Sequence, residues 1–208
     1  SASPATPTTI QIETSVSRRR QAIDGFGGSV AFWGTKADDE ALTATLDELK
    51  ANIIRVQGEV TKAGLTDHNV ALLQRGMAVN PSLQVLLTFW QPRSSEHLEP
   101  EYWLRAEQID GTEQYILRDD RMEQWADELI SRVQFYRGLG VNVTTVGIQN
   151  ESNWSHEGTQ TCRWEPERLK TFIEQFIQPR LKANHLTDLL IAAPDLAYIG
   201  PVSYTHLT

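Results

Sequence analysis

Short runs of apolar and β-branched residues alternate along the chain with longer segments whose apolar residues recur every three or four positions. The short runs are typical of strands buried on both faces, and the longer segments of helices with one apolar face. We predict strands at residues 30–33 (approached through 24–29), 52–56, 83–89, 144–148 and 188–194, and helices at 35–50, 67–79, 119–139 and 166–186. This alternation across short junctions predicts a parallel β/α architecture.

Two stretches interrupt the alternation. Three of the four residues at 25–28 are glycine, so the backbone there must either adopt positive φ or pass close to another group. Their spacing does not match the dinucleotide-binding pattern G-x-G-x-x-G. A long polar connection occupies residues 94–118, and connections of this length usually carry function or contain small helices of their own.

The chain is too short for a typical complete β/α barrel, which has eight strands and about 250 residues. It has 208 residues, and we predict an α/β fold in which residues 24–200 form a partial (β/α)8 barrel of about the first five strands. Residues 1–23 are predicted to hold a Ser/Thr/Pro-rich leader and a β-hairpin of strands 10–12 and 21–23. Residues 201–208 interrupt the pattern where a fifth helix is due, and we predict that they are a non-native tail.

Composition narrows the possible functions. A hydrophobic content of 40% supports a folded core, and a net charge of −8 disfavours nucleic acid as a partner, because phosphate binding needs clustered Lys and Arg. No apolar stretch approaches the ~20 residues that span a bilayer. Cys162 is the only cysteine and the five histidines lack metal-ligand spacing, so we predict no metal and no cofactor. The leader-like start favours an extracellular, secreted protein.

The predicted strand 144–148 carries the best candidate for chemistry. It ends in Gln149, Asn150 and Glu151, with Trp154 close behind. Active sites of parallel β/α barrels form at the carboxyl ends of the strands, so we interpret Glu151 as a proton donor at this edge. The alternative is a solvated glutamate at the start of a loop, and the strand alone does not decide between them.

Four segments together resemble the family-30 glycoside hydrolases, which are retaining β-glycosidases of clan A and include glucosylceramidases and glucuronoxylanases. Residues 23–29 (Ile-Asp-Gly-Phe-Gly-Gly-Ser) resemble the opening motif of the family, and residues 88–92 (Thr-Phe-Trp-Gln-Pro) its third-strand segment. Residues 147–151 (Gly-Ile-Gln-Asn-Glu) are similar to the fourth-strand motif that ends in the acid/base. Residues 162–167 (Cys-Arg-Trp-Glu-Pro-Glu) are similar to the segment that opens the fourth helix.

The resemblance implies a function for each matching residue. Glu151 would be the general acid/base, and Asn150 would donate a hydrogen bond to the sugar 2-hydroxyl. This hydrogen bond strengthens as positive charge develops on the sugar ring in the transition state. Trp90 would form a wall of the sugar site. Arg55 resembles the buried arginine that keeps the nucleophile ionised, because a guanidinium lowers the pKa of a nearby carboxylate.

Further implications concern the partner and the missing part of the site. Trp33 and Trp154 are additional candidates for sugar contacts. The implied binding partner of the protein is a β-linked carbohydrate substrate. The N-terminal hairpin would belong to a β side domain. Retaining enzymes need two carboxyl groups ~5–5.5 Å apart, and the family places its nucleophile on a seventh strand. We therefore expect a glycosidase parent and an inactive, monomeric fragment. Ser152 departs from the proline that many members have there.

Several alternatives remain open from the sequence alone. Arg55 fits a structural ion pair with Glu59 or Asp24, and Trp33 fits a core position equally well. The chain also fits another clan A glycosidase family, a non-catalytic carbohydrate-binding barrel, or a purely structural α/β domain. The glycan, the linkage, and endo or exo action do not follow from this sequence.

Overall fold

A computed structural model describes residues 23–29, 40–41, 44–58, 65–90, 92, 105–108, 115–154 and 162–196. Its strands are β1 (Gly27–Ser29), β2 (Ile53–Gln57), β3 (Gln84–Thr88), β4 (Arg105–Gln108), β5 (Tyr115–Leu117), β6 (Val143–Gly147) and β7 (Leu190–Ala192). Five of them form a parallel sheet in the order β1-β2-β3-β6-β7. The predicted α/β class and parallel sheet are confirmed.

The register of the sheet aligns the carboxyl ends of its strands. Gln57 of β2 pairs with Thr88 of β3, Thr88 pairs with Gly147 of β6, and Gly147 pairs with Ala192 of β7. Residues that directly follow these four strands therefore meet at one edge of the sheet, which we call the carboxyl edge.

Helices connect the parallel strands. They are α1 (Leu65–Val79), α2 (Met122–Gly138), α3 (Pro166–Phe172) and α4 (Gln178–Ala183), and a π-helical turn at Ile173–Ile177 joins α3 to α4. The predicted helix 119–139 starts with a 3-10 turn at Asp119–Arg121, and it ends before Gly140, whose φ of 80° is easily adopted by glycine. Of the predicted helix 35–50, the described part comprises helical residues 40–41 and a π-helical turn at Ala44–Glu48.

One face of the sheet lies against these helices and forms the core. In β2, Ile54 and Val56 are fully buried and belong to the same apolar cluster as Trp125, Leu129 and other helix residues. The apolar positions of α2 recur at helical spacing, so the residues that the sequence places on one stripe are those that the sheet buries.

The opposite face of the sheet is more open and more polar. In β2, Ile53, Arg55 and Gln57 alternate with the buried pair and are only half-buried. Leu190 of β7 is 65% exposed. This second face therefore carries Arg55 toward the carboxyl edge while leaving apolar side chains partly in contact with water.

Some predicted elements differ from the structure or lie outside the described residues. The polar connection 94–118 contains an antiparallel pair, β4 with β5, rather than small helices within its described part. Strand β1 comprises Gly27–Ser29, while residues 30–33, and with them Trp33, lie outside the described residues. Of the predicted hairpin only Ile23 is described, and it is 58% exposed and in no strand. No helix within the described ranges is long and apolar enough to cross a bilayer.

Glycine is required in β1 by a close backbone approach rather than by positive φ. A Cβ atom added at Gly27 would lie 1.9 Å from the carbonyl oxygen of Ile53 on the neighbouring strand, whereas one added at Gly28 would meet nothing within 4 Å. The chain thus offers two adjacent glycines with opposite steric demands.

We expect Gly27→Ala to lower the free energy of unfolding by about 1–3 kcal/mol, because the strands must separate to admit the methyl group. The matched control Gly28→Ala should change it by no more than about 0.5 kcal/mol. Urea unfolding followed by circular dichroism measures both. Equal midpoints for the two variants would contradict this assignment.

Candidate functional site

Arg55 lies at the centre of the polar cluster on the carboxyl edge. It projects from β2, and its Nε donates to Thr88 Oγ1 of β3 at 3.0 Å. Its Nη2 donates to Asn150 Oδ1, after β6, and to Asp195 Oδ2, after β7, at 2.8 Å. One guanidinium therefore connects the ends of four neighbouring parallel strands.

Trp90 packs against the same guanidinium. The Cζ atom of Arg55 lies 4.8 Å from the centroid of the Trp90 ring, which is within the range of a cation–π contact. Gln149 donates through Nε2 to the carbonyl oxygen of Trp90 at 2.7 Å, and the Asn150 N–H donates to the carbonyl oxygen of Phe89 at 2.6 Å. The segments after β3 and β6 are thus tied together beyond the ends of the strands.

The contact with Arg55 fixes the orientation of the Asn150 amide. A guanidinium is only a donor, so the atom facing it must be the amide oxygen and not the nitrogen. None of the described residues accepts a hydrogen bond from Asn150 Nδ2 in return. The side chain is largely buried, at 7% exposure, and its N–H groups are available to an added acceptor.

Glu151 occupies a constrained turn. Its φ is 54°, in the left-handed region that disfavours non-glycine residues by about 1–2 kcal/mol. On the N-terminal side, the Asn150 N–H donates a hydrogen bond to the carbonyl oxygen of Phe89. On the other, the Ser152 N–H and Oγ donate to the carbonyl oxygen of Asp195 at 2.6 and 3.0 Å. The neighbours of Glu151 thus hold its backbone in this conformation, and its side chain is half-buried.

The remaining sequence candidates have different outcomes. Trp154 is half-buried in the following turn, and its backbone N–H donates to the carbonyl oxygen of Glu151 at 2.9 Å. Trp33 lies outside the described residues, as does Glu59. The structure pairs Arg55 with Asp195 and not with Asp24, whose carbonyl oxygen instead accepts from Asn52 Nδ2 at 3.2 Å.

Sequence reasoning did not identify Asp195 and Thr88 as members of the site. Both positions carry a recognisable signal, because each is a polar residue at the carboxyl end of a predicted strand. The sequence did not show that the Arg55 side chain spans the carboxyl edge from β2 to the end of β7, with β3 and β6 lying between them. Within the described ranges, no group of three or more His, Cys, Asp or Glu is arranged to hold a metal ion.

A cavity of about 620 Å³ lies near the carboxyl edge, on the side of α3. It is lined by Trp164, Leu169, Ile173 and Pro194 among others, and it does not include Arg55, Trp90, Asn150 or Glu151. The cluster of hydrogen bonds, and not this apolar cavity, therefore defines the candidate site.

The parallel sheet and the helices that connect its strands place this chain in the β/α fold class. Its fold is that of solved family-30 enzymes, as the sequence resemblance predicted. The family-30 subfamily 8 xylanase Xyn30A from Clostridium acetobutylicum superposes with a TM-score of 0.64 at 20% identity, over 86% of this chain and 44% of that one.

Two further structures show the same likeness. An endo-β1,6-glucanase matches with a TM-score of 0.65 at 19% identity, covering 87% of this chain and 46% of its own. SrfJ from Salmonella typhimurium matches with a TM-score of 0.60 at 22% identity, covering 82% and 43%. At these identities the likeness shows the fold, and this chain spans less than half the length of these structures. No protein-family model and no curated protein matches the sequence.

Proposed function

We propose that this chain is the N-terminal part of the catalytic barrel of a family-30 glycoside hydrolase, and that its carboxyl edge binds a β-linked carbohydrate. The observation that carries the proposal is the arrangement of Arg55, Asn150 and Trp90. The resemblance assigns all three to a sugar site, and at this edge Arg55 contacts both of the others, although they are far from it in the sequence. The fold similarity to a xylanase and a glucanase supports the same class of substrate.

In the proposed reaction, Glu151 acts as the general acid/base of a retaining mechanism. It protonates the departing glycosidic oxygen and later takes a proton from the water that releases the sugar. Asn150 Nδ2, turned away from Arg55, donates to the sugar 2-hydroxyl, and a bond that strengthens as the oxocarbenium ion develops accelerates the reaction. Trp90 offers an indole face to the apolar side of the sugar ring.

The nucleophile of this mechanism is a second carboxylate, which the resemblance places on a seventh barrel strand, whereas the described residues form five parallel strands. We therefore propose that the glycosidase activity belongs to a longer protein and that this chain alone binds carbohydrate without hydrolysing it. Secretion, suggested by the leader-like residues 1–9, and a monomeric state are part of the same proposal.

Binding by the chain itself tests this proposal. We expect tryptophan fluorescence titration to detect at least one sugar in a panel of methyl β-glucoside, β-xyloside and β-galactoside and their β-linked oligosaccharides. Trp90→Ala should weaken that binding by about tenfold, which corresponds to about 1.4 kcal/mol and to the upper range of an aromatic contact.

Phe135→Ala serves as the control, because Phe135 is a 40% exposed aromatic residue of α2 whose ring contacts Tyr136 and Arg132 instead of Arg55, and its loss should leave the affinity unchanged. A folded chain that binds no member of the panel would overturn the proposed function. Equal affinities for wild type and Trp90→Ala would remove Trp90 from the site.

A further inference from the structure

Asp195 is connected to the candidate site through both its side chain and its backbone. Its Oδ2 accepts from Arg55 Nη2 at 2.8 Å, and the same nitrogen donates to Asn150 Oδ1. Its carbonyl oxygen accepts from the N–H and the Oγ of Ser152, one residue beyond Glu151. The backbone of Asp195, which carries this carboxylate, is therefore hydrogen-bonded to the loop that contains Glu151.

We propose that Asp195 is a positioning residue for carbohydrate binding: it holds the Arg55 guanidinium in the orientation that turns the Asn150 amide N–H groups toward the sugar. This inference rests on the proposed function, and it adds a residue that neither the sequence motif nor the fold similarity assigns.

The geometry of the guanidinium explains how Asp195 acts at a distance. A guanidinium is a planar, rigid fork, so its contacts are not independent. The Nε bond to Thr88 fixes one end of the fork, and the Trp90 ring restricts its plane. The carboxylate of Asp195 binds Nη2 at the other end and so fixes the remaining tilt of the whole fork, which determines where the oxygen of Asn150 can be bound.

The small free energy expected from this ion pair indicates that Asp195 contributes more to the orientation of Arg55 than to the stability of the fold. The side chains of Arg55 and Asp195 are 27% and 41% exposed, and ion pairs with this access to water contribute about 0–1 kcal/mol to folding. Water can replace the lost charge partner, but it cannot hold the fork at one angle. Removing the carboxylate should therefore affect the orientation of Asn150 more than the stability of the chain.

The same strand supplies a matched control at its other end. Asp188 lies before β7 and accepts from Arg137 of α2 through both carboxylate oxygens, at 2.9 and 3.1 Å. The hydrogen bond from Arg137 lowers the pKa of Asp188. Asp188→Ala removes an Asp–Arg ion pair, here with two hydrogen bonds instead of one, without touching the carboxyl edge.

The test compares Asp195→Ala and Asp188→Ala in the unliganded 208-residue chain. We expect the side-chain ¹⁵N amide resonance of Asn150 to move in Asp195→Ala and to stay in place in Asp188→Ala. Asp195→Asn, which keeps a neutral acceptor, should give a smaller shift and provides a second variant if the alanine variant folds poorly. An unmoved Asn150 resonance in both Asp195 variants would overturn the inference.

A double-mutant cycle then tests the link to the sugar, with the methyl β-glycoside that binds best as the probe. Asp195→Ala should raise the Kd by about three- to tenfold, and it should add little to the loss caused by Asn150→Ala, because both remove the same oriented donor. Fully additive losses would overturn the inference. If the resonance moves but no glycoside binds to the wild type, positioning of the amide is supported and the proposed function fails.

Discussion

Replacing Glu151 with glutamine should lower kcat by about 10²–10⁴-fold in a longer form of the protein that also carries the nucleophile, because general acid/base catalysis contributes that much to such reactions. The amide keeps the size of the side chain but cannot supply or accept the transferred proton. Hydrolysis of β-linked disaccharides, whose leaving group needs protonation, measures the effect on the first step directly.

The dependence on the leaving group distinguishes an acid/base residue from a structural one. For an aryl β-glycoside with an acidic phenol, departure needs little protonation, so the glycosylation step should be far less impaired than for a disaccharide. Glu123→Gln at the exposed start of α2 is the control and should leave both rates unchanged. Equal losses of kcat/KM, which reports the glycosylation step, on both substrates, or no loss on either, would remove Glu151 from the acid/base role.

Replacing Arg55 with lysine should weaken binding of the best glycoside by about 10- to 100-fold, although the charge is kept. An ammonium group on a flexible stem cannot contact Thr88, Asn150 and Asp195 together while lying over Trp90. Each charge-assisted hydrogen bond that is lost with its partner left in place costs about 1.5–3 kcal/mol, and partial exposure to water places the expected loss near the lower end.

Titration of tryptophan fluorescence gives the affinity, and a thermal unfolding curve reports whether the variant is folded. The control is Arg137→Lys, which alters an arginine that likewise joins a carboxylate, Asp188, and a strand carbonyl, Val143, but on the side remote from the site. An affinity for Arg55→Lys that matches the wild type would show that charge alone, and not the shape of the guanidinium, matters at this position.

The strands that the sequence predicted best are those with continuous apolar and β-branched residues. Residues 52–56, 83–89 and 144–148 all correspond to strands of the parallel sheet, because a continuous run of apolar and β-branched residues is visible in one segment alone. The pair β4 and β5 was not predicted, since strands of four and three residues in a polar connection leave no comparable pattern. The π-helical turn inside the predicted helix 166–186 was not predicted either, because it leaves the spacing of the apolar residues close to that of a regular helix.

The site was predictable where a motif is contiguous and not where contacts join distant strands. Asn150 and Glu151 stand next to each other after a strand, so their position at the carboxyl edge followed from the strand prediction. The partner of Arg55 did not follow, because the sequence offered Glu59 and Asp24 nearby, whereas the observed carboxylate is 140 residues away. The pair forms only in the folded sheet, where the two side chains meet at the carboxyl edge although β3 and β6 lie between their strands.

The backbone at Glu151 indicates why this residue is present at all. Selection for stability alone would favour glycine or asparagine at a φ of 54°, since both tolerate the left-handed conformation better than glutamate does. A protein that keeps glutamate there has a lower free energy of unfolding than one with glycine or asparagine at this position. Replacing Glu151 with glycine or asparagine should therefore raise the unfolding temperature while removing the carboxyl group. At this one position, a gain in thermal stability should come with a loss of turnover.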